Sequence, residues 1–252
     1  MRDLLDLAKF SALQAGAEIL KHYEKYDLFT KTDKSPLTSA DLASNKKIFE
    51  ILGKSGIKIS SEEQILSEVC DEFWLVDPLD GTKEFIDKNG EFCVCIALIK
   101  HGTPVLGVIF IPCENALFYA SENGAFRVDL NTQTSIKLGQ NDEKIFYLSR
   151  RSAGAKSTAL ANHFGFKTQK IGSAIKFCRL VQNGGIYARF SPSYIWDNAA
   201  GDALVRFSGG AMISLKQKTA PTYDLTELKN PHFIALSHKF LVLKDEIFER
   251  LA

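Results

Sequence analysis

The stretch Asp77-Pro78-Leu79-Asp80-Gly81-Thr82 brings two carboxylates, one carbonyl (Leu79) and one hydroxyl (Thr82) together in a short length of chain. These are hard oxygen donors, the kind that Mg²⁺ and its phosphate ligands require. The apolar run over 73–76 reads as a short buried strand bounded by turn formers, with Asp77 at its carboxyl end. Pro78 biases Asp77 towards extended backbone and fixes its own φ. Gly81 lets the chain bend tightly and leaves its N–H accessible.

Other carboxylates can join this pair. Glu62 and Glu63 follow a short strand over 58–60. Neighbouring residues of an extended segment point to opposite faces, so one of them, Glu62, is expected to turn inward beside Asp77. Asp197 opens a helix whose interior is Asn198-Ala199-Ala200-Gly201, and Asp41 follows Thr38 at capping-box spacing. Each feature has a plainer reading. Asp-Pro and Asp-Gly make turns, paired glutamates sit on solvated loops, and helix-start acids cap helices for about 1 kcal/mol. Two motifs are excluded. An EF-hand loop needs acids where Leu79 and Gly81 stand. The haloacid dehalogenases need a nucleophilic aspartate where Pro78 stands.

The elements that must position these groups follow from patterning. Apolar spacing predicts a helix over 3–23, a polar stretch over 27–36 and a second helix over 38–53. Strands are expected over 91–100, 105–111, 116–120 and 125–128, with His101-Gly102 turning the first into the second. The polar run 131–143 marks a boundary, giving an α+β lobe over 1–138 and an α/β lobe over 139–252. In the second lobe, strands over 145–149, 167–171, 186–190 and 211–214 alternate with helices over 157–164, 173–182 and 197–207. A closing helix is expected over 239–251.

Bulk properties narrow the function. The chain has 252 residues, is 45% apolar and 24% charged, and carries a net charge of +1. Neither a nucleic acid nor a membrane surface is expected as its main partner. No apolar run approaches the ~20 residues of a membrane span, and the amino-terminal residues do not read as a signal peptide. The five cysteines are odd in number and lack C-x-x-C spacing. They read as reduced thiols of a cytoplasmic protein, at most peripheral to the inner membrane. Cys93 and Cys95 alternate along an apolar run and are expected to point the same way from a strand. The five histidines lack metal-ligand spacing.

The motifs in their order resemble the lithium-sensitive, Mg²⁺-dependent phosphatase superfamily of the inositol monophosphatases and fructose-1,6-bisphosphatases. They are Ser35-Pro36-Leu37-Thr38-Ser39-Ala40-Asp41, Ser61-Glu62-Glu63, Trp74-Leu75-Val76-Asp77-Pro78-Leu79-Asp80-Gly81-Thr82 and Ile195-Trp196-Asp197-Asn198-Ala199-Ala200-Gly201. Lys83-Glu84-Phe85, Asn89-Gly90-Glu91-Phe92 and Gly172-Ser173-Ala174-Ile175-Lys176-Phe177 are closer to the 3′(2′),5′-bisphosphate nucleotidase branch. Two positions depart from that pattern: Ala188, where Pro is usual, and the acidic Asp202 after Gly201.

The resemblance implies a layered αβαβα sandwich and hydrolysis of the 3′-phosphate of adenosine 3′,5′-bisphosphate. Two or more Mg²⁺ ions are implied. One is held by Glu62, Asp77 and the Leu79 carbonyl, the other by Asp77, Asp80 and Asp197. Thr82 and Asp41 are the implied pair that orients and deprotonates the attacking water, and Gly81 and Thr82 N–H groups meet the phosphate. Glu62, Leu79, Asp80 and Asp197 then also lie against substrate. Lys176 and Arg189 are candidates for the second phosphate, since a buried dianion needs cations. Gly172 and Ser173, at a strand-to-helix turn, offer further N–H groups. Ser149 and Ser152 lie near another strand end facing the nucleotide. The partner is thus a small phosphorylated nucleotide, with an inositol phosphate as the alternative within the superfamily. An inactive nucleotide-binding protein is the alternative outside it.

Overall fold

The computed structural model describes residues 1–151 and 154–251. It forms two main sheets with helices outside and between them. The chain runs α1 (Arg2–Lys21), β1 (Leu28–Thr30), β2 (Pro36–Thr38), α2 (Ser39–Leu52), β3 (Ile59–Ser61), β4 (Glu72–Asp80) and α3 (Thr82–Ile86). Then come β5 (Cys93–Lys100), β6 (Thr103–Ile111), β7 (Ala116–Ser121), β8 (Gly124–Asp129) and β9 (Thr134–Lys137). These follow the expected meander, and β3 to β9 pair in chain order as a seven-stranded sheet.

The second half supplies β10 (Ile145–Ser149), α4 (Ala155–His163), β11 (Lys167–Ile171), α5 (Ile175–Asn183) and β12 (Ile186–Arg189). It continues through β13 (Ser193–Tyr194), α6 (Ile195–Phe207), β14 (Ala211–Ser214), β15 (Lys229–Asn230), β16 (Phe233–Leu236) and α7 (Lys244–Leu251). The second main sheet has the order β11-β10-β12-β16-β14.

Three apolar clusters define the layers. One packs α1 and α2 on the first sheet through Leu5, Ala12, Trp74, Val76 and Ile96. The second fills the space between the sheets, where α5 and α6 lie, with Phe73, Leu75, Phe177, Ala199 and Tyr187. The third packs α4 and α7 on the outer face of the second sheet through Phe146, Leu160, Ile234 and Phe248. The result is a five-layered αβαβα arrangement, as the resemblance implies. Burying one large apolar side chain contributes roughly 1.5–3 kcal/mol, so the alternation of β4 between two cores pins its register strongly.

Several local expectations need correction. The polar stretch over 27–36 contains β1 and leads into β2, a hairpin whose strands are three residues each and too short to show an alternating pattern. The polar run 131–143 contains β9, exposed throughout, which pairs with β8 at the sheet edge. β16 has no counterpart among the predicted strands; it is wholly buried between β12 and β14. The carboxy-terminal segment begins as a 3₁₀ helix, His238–Leu243, before α7. α6 begins at Ile195 rather than at Asp197.

Candidate active site

β4 does not end at Asp77 but continues to Asp80 through a bulge. Asp77 stands opposite Cys95 and Asp80 opposite Cys93, with Pro78 and Leu79 displaced from the ladder. In an unbroken strand residues three apart face opposite ways; the bulge resets the alternation so that both aspartates face α6. The displaced backbone is satisfied locally. Leu79 N–H donates to Asp77 Oδ1 at 3.0 Å and Pro78 O accepts from Ser44 Oγ at 2.6 Å. Pro78, which has no N–H to lose, suits this break. Gly81 follows at φ 95°, and a side chain there would stand 2.9 Å from the Glu91 carbonyl.

α6 brings Asp197 to the same place. Its amino-terminal small residues let it press against β6: a Cβ at Gly107 would lie 2.7 Å from Ala200 O. Asp197 Oδ2 accepts the Tyr194 N–H at 2.9 Å, so it ties down the helix start from the third helical position while Tyr194 is the N-cap. One carboxylate oxygen of each of Asp77, Asp80 and Asp197 lies within 4.8 Å of the others. The crowding shows in their acidity. Burial first, then Glu62, Asp80 and Asp197, pushes Asp77 well above the usual carboxylate range. Burial and Asp197 raise Asp80 to about 7, and burial raises Asp197 to about 6 against the pull of Arg189. An all-oxygen seat of mutually repelling carboxylates fits a hard divalent cation.

On the other side of the strand end, Thr82 Oγ1 donates to Asp41 Oδ1 at 3.1 Å and approaches Leu79 O at 3.3 Å. The capping box predicted at Thr38 and Asp41 is present, and Asp41 Oδ2 accepts the Thr38 N–H at 2.8 Å. Burial raises the Asp41 pKa, opposed by the hydrogen bonds from Thr38 and Thr82.

The glutamate pair departs from expectation. Glu62 N–H donates to Val76 O at 3.1 Å, which docks the turn beside Asp77. Residues 62–63 form a turn rather than an extended segment, so both side chains reach one point. Lys31 Nζ, from the β1–β2 hairpin, lies 2.6 Å from Glu62 Oε1 and 2.6 Å from Glu63 Oε1. Burial works against the Lys31 charge, but the two glutamates outweigh it and raise its pKa. Lys31 carried no sequence signal, lying in the stretch read as polar, and Glu63 was expected to point away from Glu62.

Two adjoining clefts share Asp80, Gly81, Glu84, Arg189 and Asp197. The acidic one adds Glu62, Asp77, Leu79 and Thr82. The other is lined by Ser149, Gly172, Ser173, Lys176 and Tyr187, with Arg150 and Arg151. Lys176 and Arg189 are not surface charges. Lys176 is 3% exposed, donates to Ile171 O and Ser173 O, and lies 5.3 Å from the Tyr187 ring. Arg189 donates to Pro192 O at 2.9 Å and to the Tyr187 hydroxyl at 3.4 Å. Tyr187, absent from the expected site, ties these cations together from a fully buried ring.

Other expected contacts differ. The Gly172 N–H is engaged by Glu91 Oε2 at 2.6 Å, and the same carboxylate pairs with Arg150. That donor is therefore not open to a ligand. Asp202 does not line either cleft; it is buried on α6, where its Oδ2 accepts from Arg206 at 3.3 Å. Ser152 lies outside the described residues. Arg151 pairs with Glu84 at 2.9 Å and also meets Asp87, joining the carboxyl end of β10 to α3.

Layering and acid cluster together define a metal-dependent phosphatase. The chain belongs to the inositol monophosphatase family, whose model matches residues 1–246. It is 35% identical over 241 residues to the 3′(2′),5′-bisphosphate nucleotidase CysQ of Escherichia coli O6:H1, covering 91% of this chain and 98% of that one. Its fold matches crystalline CysQ from Bacteroides thetaiotaomicron with a TM-score of 0.81 and 32% identity, over 94% of this chain and 97% of that chain. An IMPase/NADP phosphatase crystallised with Mg²⁺ and phosphate shares the fold at a TM-score of 0.74 and 18% identity, over 94% and 90% of the two chains. No helix among the described residues is long and apolar enough to cross a membrane.

Proposed function

We propose that this protein removes the 3′-phosphate of adenosine 3′,5′-bisphosphate, giving AMP and phosphate, with Mg²⁺ as cofactor. The observation that carries this reading is the pair of joined clefts: an acidic one for cations and the reacting phosphate, and a basic one for a second phosphate. The relatives named as bisphosphate nucleotidases support the same choice. Lys176 and Arg189 together supply the positive charge that a second phosphate calls for.

Roles follow from position. Asp77, Asp80 and Asp197 would hold one Mg²⁺, and Glu62, Asp77 and the Leu79 carbonyl another. When bound, Mg²⁺ would offset phosphoryl charge and ease loss of a proton from the attacking water. The Asp41 carboxylate, held by Thr38, fixes the Thr82 hydroxyl, and the two orient the attacking water and take its proton. The Gly81 and Thr82 amides bound the phosphate chamber. Lys176 and Arg189 bind the non-reacting phosphate, and Ser149, Ser173 and the Gly172 turn flank the ribose. In this reading the chain divides near residue 138 into a lobe bearing most of the acids and a lobe bearing Asp197 and the cations. A cytoplasmic location fits its five free cysteines.

The test is phosphate release from adenosine 3′,5′-bisphosphate and from inositol 1-phosphate, at equal concentration with Mg²⁺. Faster turnover of the nucleotide is expected. Faster turnover of the inositol ester overturns the substrate assignment.

A further inference from the structure

We infer that Asp80, Cys93 and Cys95 form a second metal seat, one for a thiophilic divalent cation such as Zn²⁺ or Cd²⁺, placed directly beneath the acid cluster. The register of β4 and β5 builds it. Cys95 stands opposite Asp77 and Cys93 opposite Asp80, so the bulge that turns the aspartates towards α6 also sets them against two thiols. Both cysteines are reduced and buried, at 0% and 1% exposed.

The spacing is that of a coordination shell. Cys93 Sγ lies 3.8 Å from Cys95 Sγ and 4.0 Å from Asp80 Oδ2, and all three ligand atoms lie within 4.8 Å of one another. A tetrahedral ion with Zn–S bonds of about 2.3 Å holds its sulfurs about 3.8 Å apart. Ser173 Oγ lies 3.6 Å from Cys93 Sγ, beside the three. Asp80 and Ser173 line the basic cleft, so the ion has a route from solvent. Thiolate ligands select such ions over Mg²⁺. On binding, each thiol releases its proton to solvent and a sulfur–metal bond forms; nothing is oxidised.

Asp80 serves both seats. An ion drawn down onto the sulfurs takes a carboxylate from the cluster above it, so Zn²⁺ or Cd²⁺ should block turnover even in excess Mg²⁺. That consequence rests on the proposed function; the binding itself does not.

The experiment is a titration of the whole chain with Cd²⁺, in excess Mg²⁺ and a non-thiol reductant, read by the ultraviolet thiolate-to-cadmium charge-transfer band. The wild type and a Cys70→Ser/Cys113→Ser control should both bind one equivalent tightly. In Cys93→Ser/Cys95→Ser the affinity should fall at least about 100-fold, since even supporting residues around a metal site cost about 10–100-fold when lost. Cd²⁺ should inhibit phosphate release by the wild type and spare that variant. A band unchanged in Cys93→Ser/Cys95→Ser, or lost in the control, overturns the seat. Should Cys93→Ser/Cys95→Ser fail to fold, anomalous scattering from a Cd²⁺-soaked crystal of the wild type decides. A peak between Asp80 and the two sulfurs supports the seat, and a peak at the carboxylates alone overturns it. If the nucleotide assay fails while the band behaves as expected, only the proposed function falls.

Discussion

The hydroxyl of Thr82 donates to Oδ1 of Asp41 across 3.1 Å, while Oδ2 of the same carboxylate accepts from the Thr38 backbone. An acid at a helix start and a hydroxyl at a strand end are thereby locked as one unit. General-base assistance is worth about 10²–10⁴-fold. Asp41→Asn and Thr82→Ala should each lower kcat by roughly that range with little change in KM, while Thr82→Ser retains most of the rate. Steady-state kinetics on the nucleotide check this, and a KM effect equal to the kcat effect would contradict it.

The crowded acids make stability depend on pH in a stated direction. Asp80 and Asp197 titrate at about 7 and about 6 in the folded chain, against about 3.9 when unfolded. A raised folded pKa means that the native state binds the extra protons. Their contribution is therefore full below about pH 4 and is lost as pH rises through about 6 and 7. With a chelator present, the melting temperature should fall over that window. Saturating Mg²⁺ should flatten the fall by standing in for the protons. Asp202, raised by burial to about 6, adds a fall that Mg²⁺ does not remove and Asp202→Asn does. Thermal melts at each pH decide.

Tyr187 joins Arg189 and Lys176 from beneath the basic cleft. Burial favours its neutral form, yet Lys176 and Arg189 outweigh that and lower its pKa. Hydrogen bonds to charged groups are worth about 1.5–3 kcal/mol. Tyr187→Phe should therefore raise KM for the bisphosphate about tenfold or more at nearly constant kcat. Arg189→Ala should do so more strongly. A nucleoside monophosphate should be much less affected, and equal losses on both substrates would remove these residues from specificity.

Gly107 sets how near α6 comes to the sheet. Gly107→Val would drive a side chain into Ala200 and Ala203 of that helix. Overpacking of this kind costs about 1–3 kcal/mol, and the helix it displaces carries Asp197. The melting temperature should drop, kcat should drop at least about tenfold, and more Mg²⁺ should be needed for half-maximal rate. Retained activity in a destabilised variant would separate packing from positioning.

The site was legible where chemistry and local grammar coincide. Asp77, Asp80 and Thr82 sit in one motif, Thr38 and Asp41 in one capping box, and the apolar runs around them alternate cleanly. What escaped notice depends on shape. An extended segment would point Glu63 away from Glu62, but the chain turns there and both glutamates meet Lys31. Lys31 reaches the glutamates from the loop just after the three-residue strand β1, where no motif marks it. The amide of Gly172 was expected to be open, and only the fold shows Glu91 arriving from far away in sequence to engage it. The buried strand Phe233–Leu236 is brief, and its apolar run is as compatible with a loop as with a strand.

Lys31, clasped by Glu62 and Glu63, has a consequence for how the cleft fills. The hairpin delivers one ammonium to the rim, which offsets part of the mutual repulsion of the acids there. Under the proposed function, an ion seated at Glu62 has either to share that carboxylate with the lysine or to displace its ammonium.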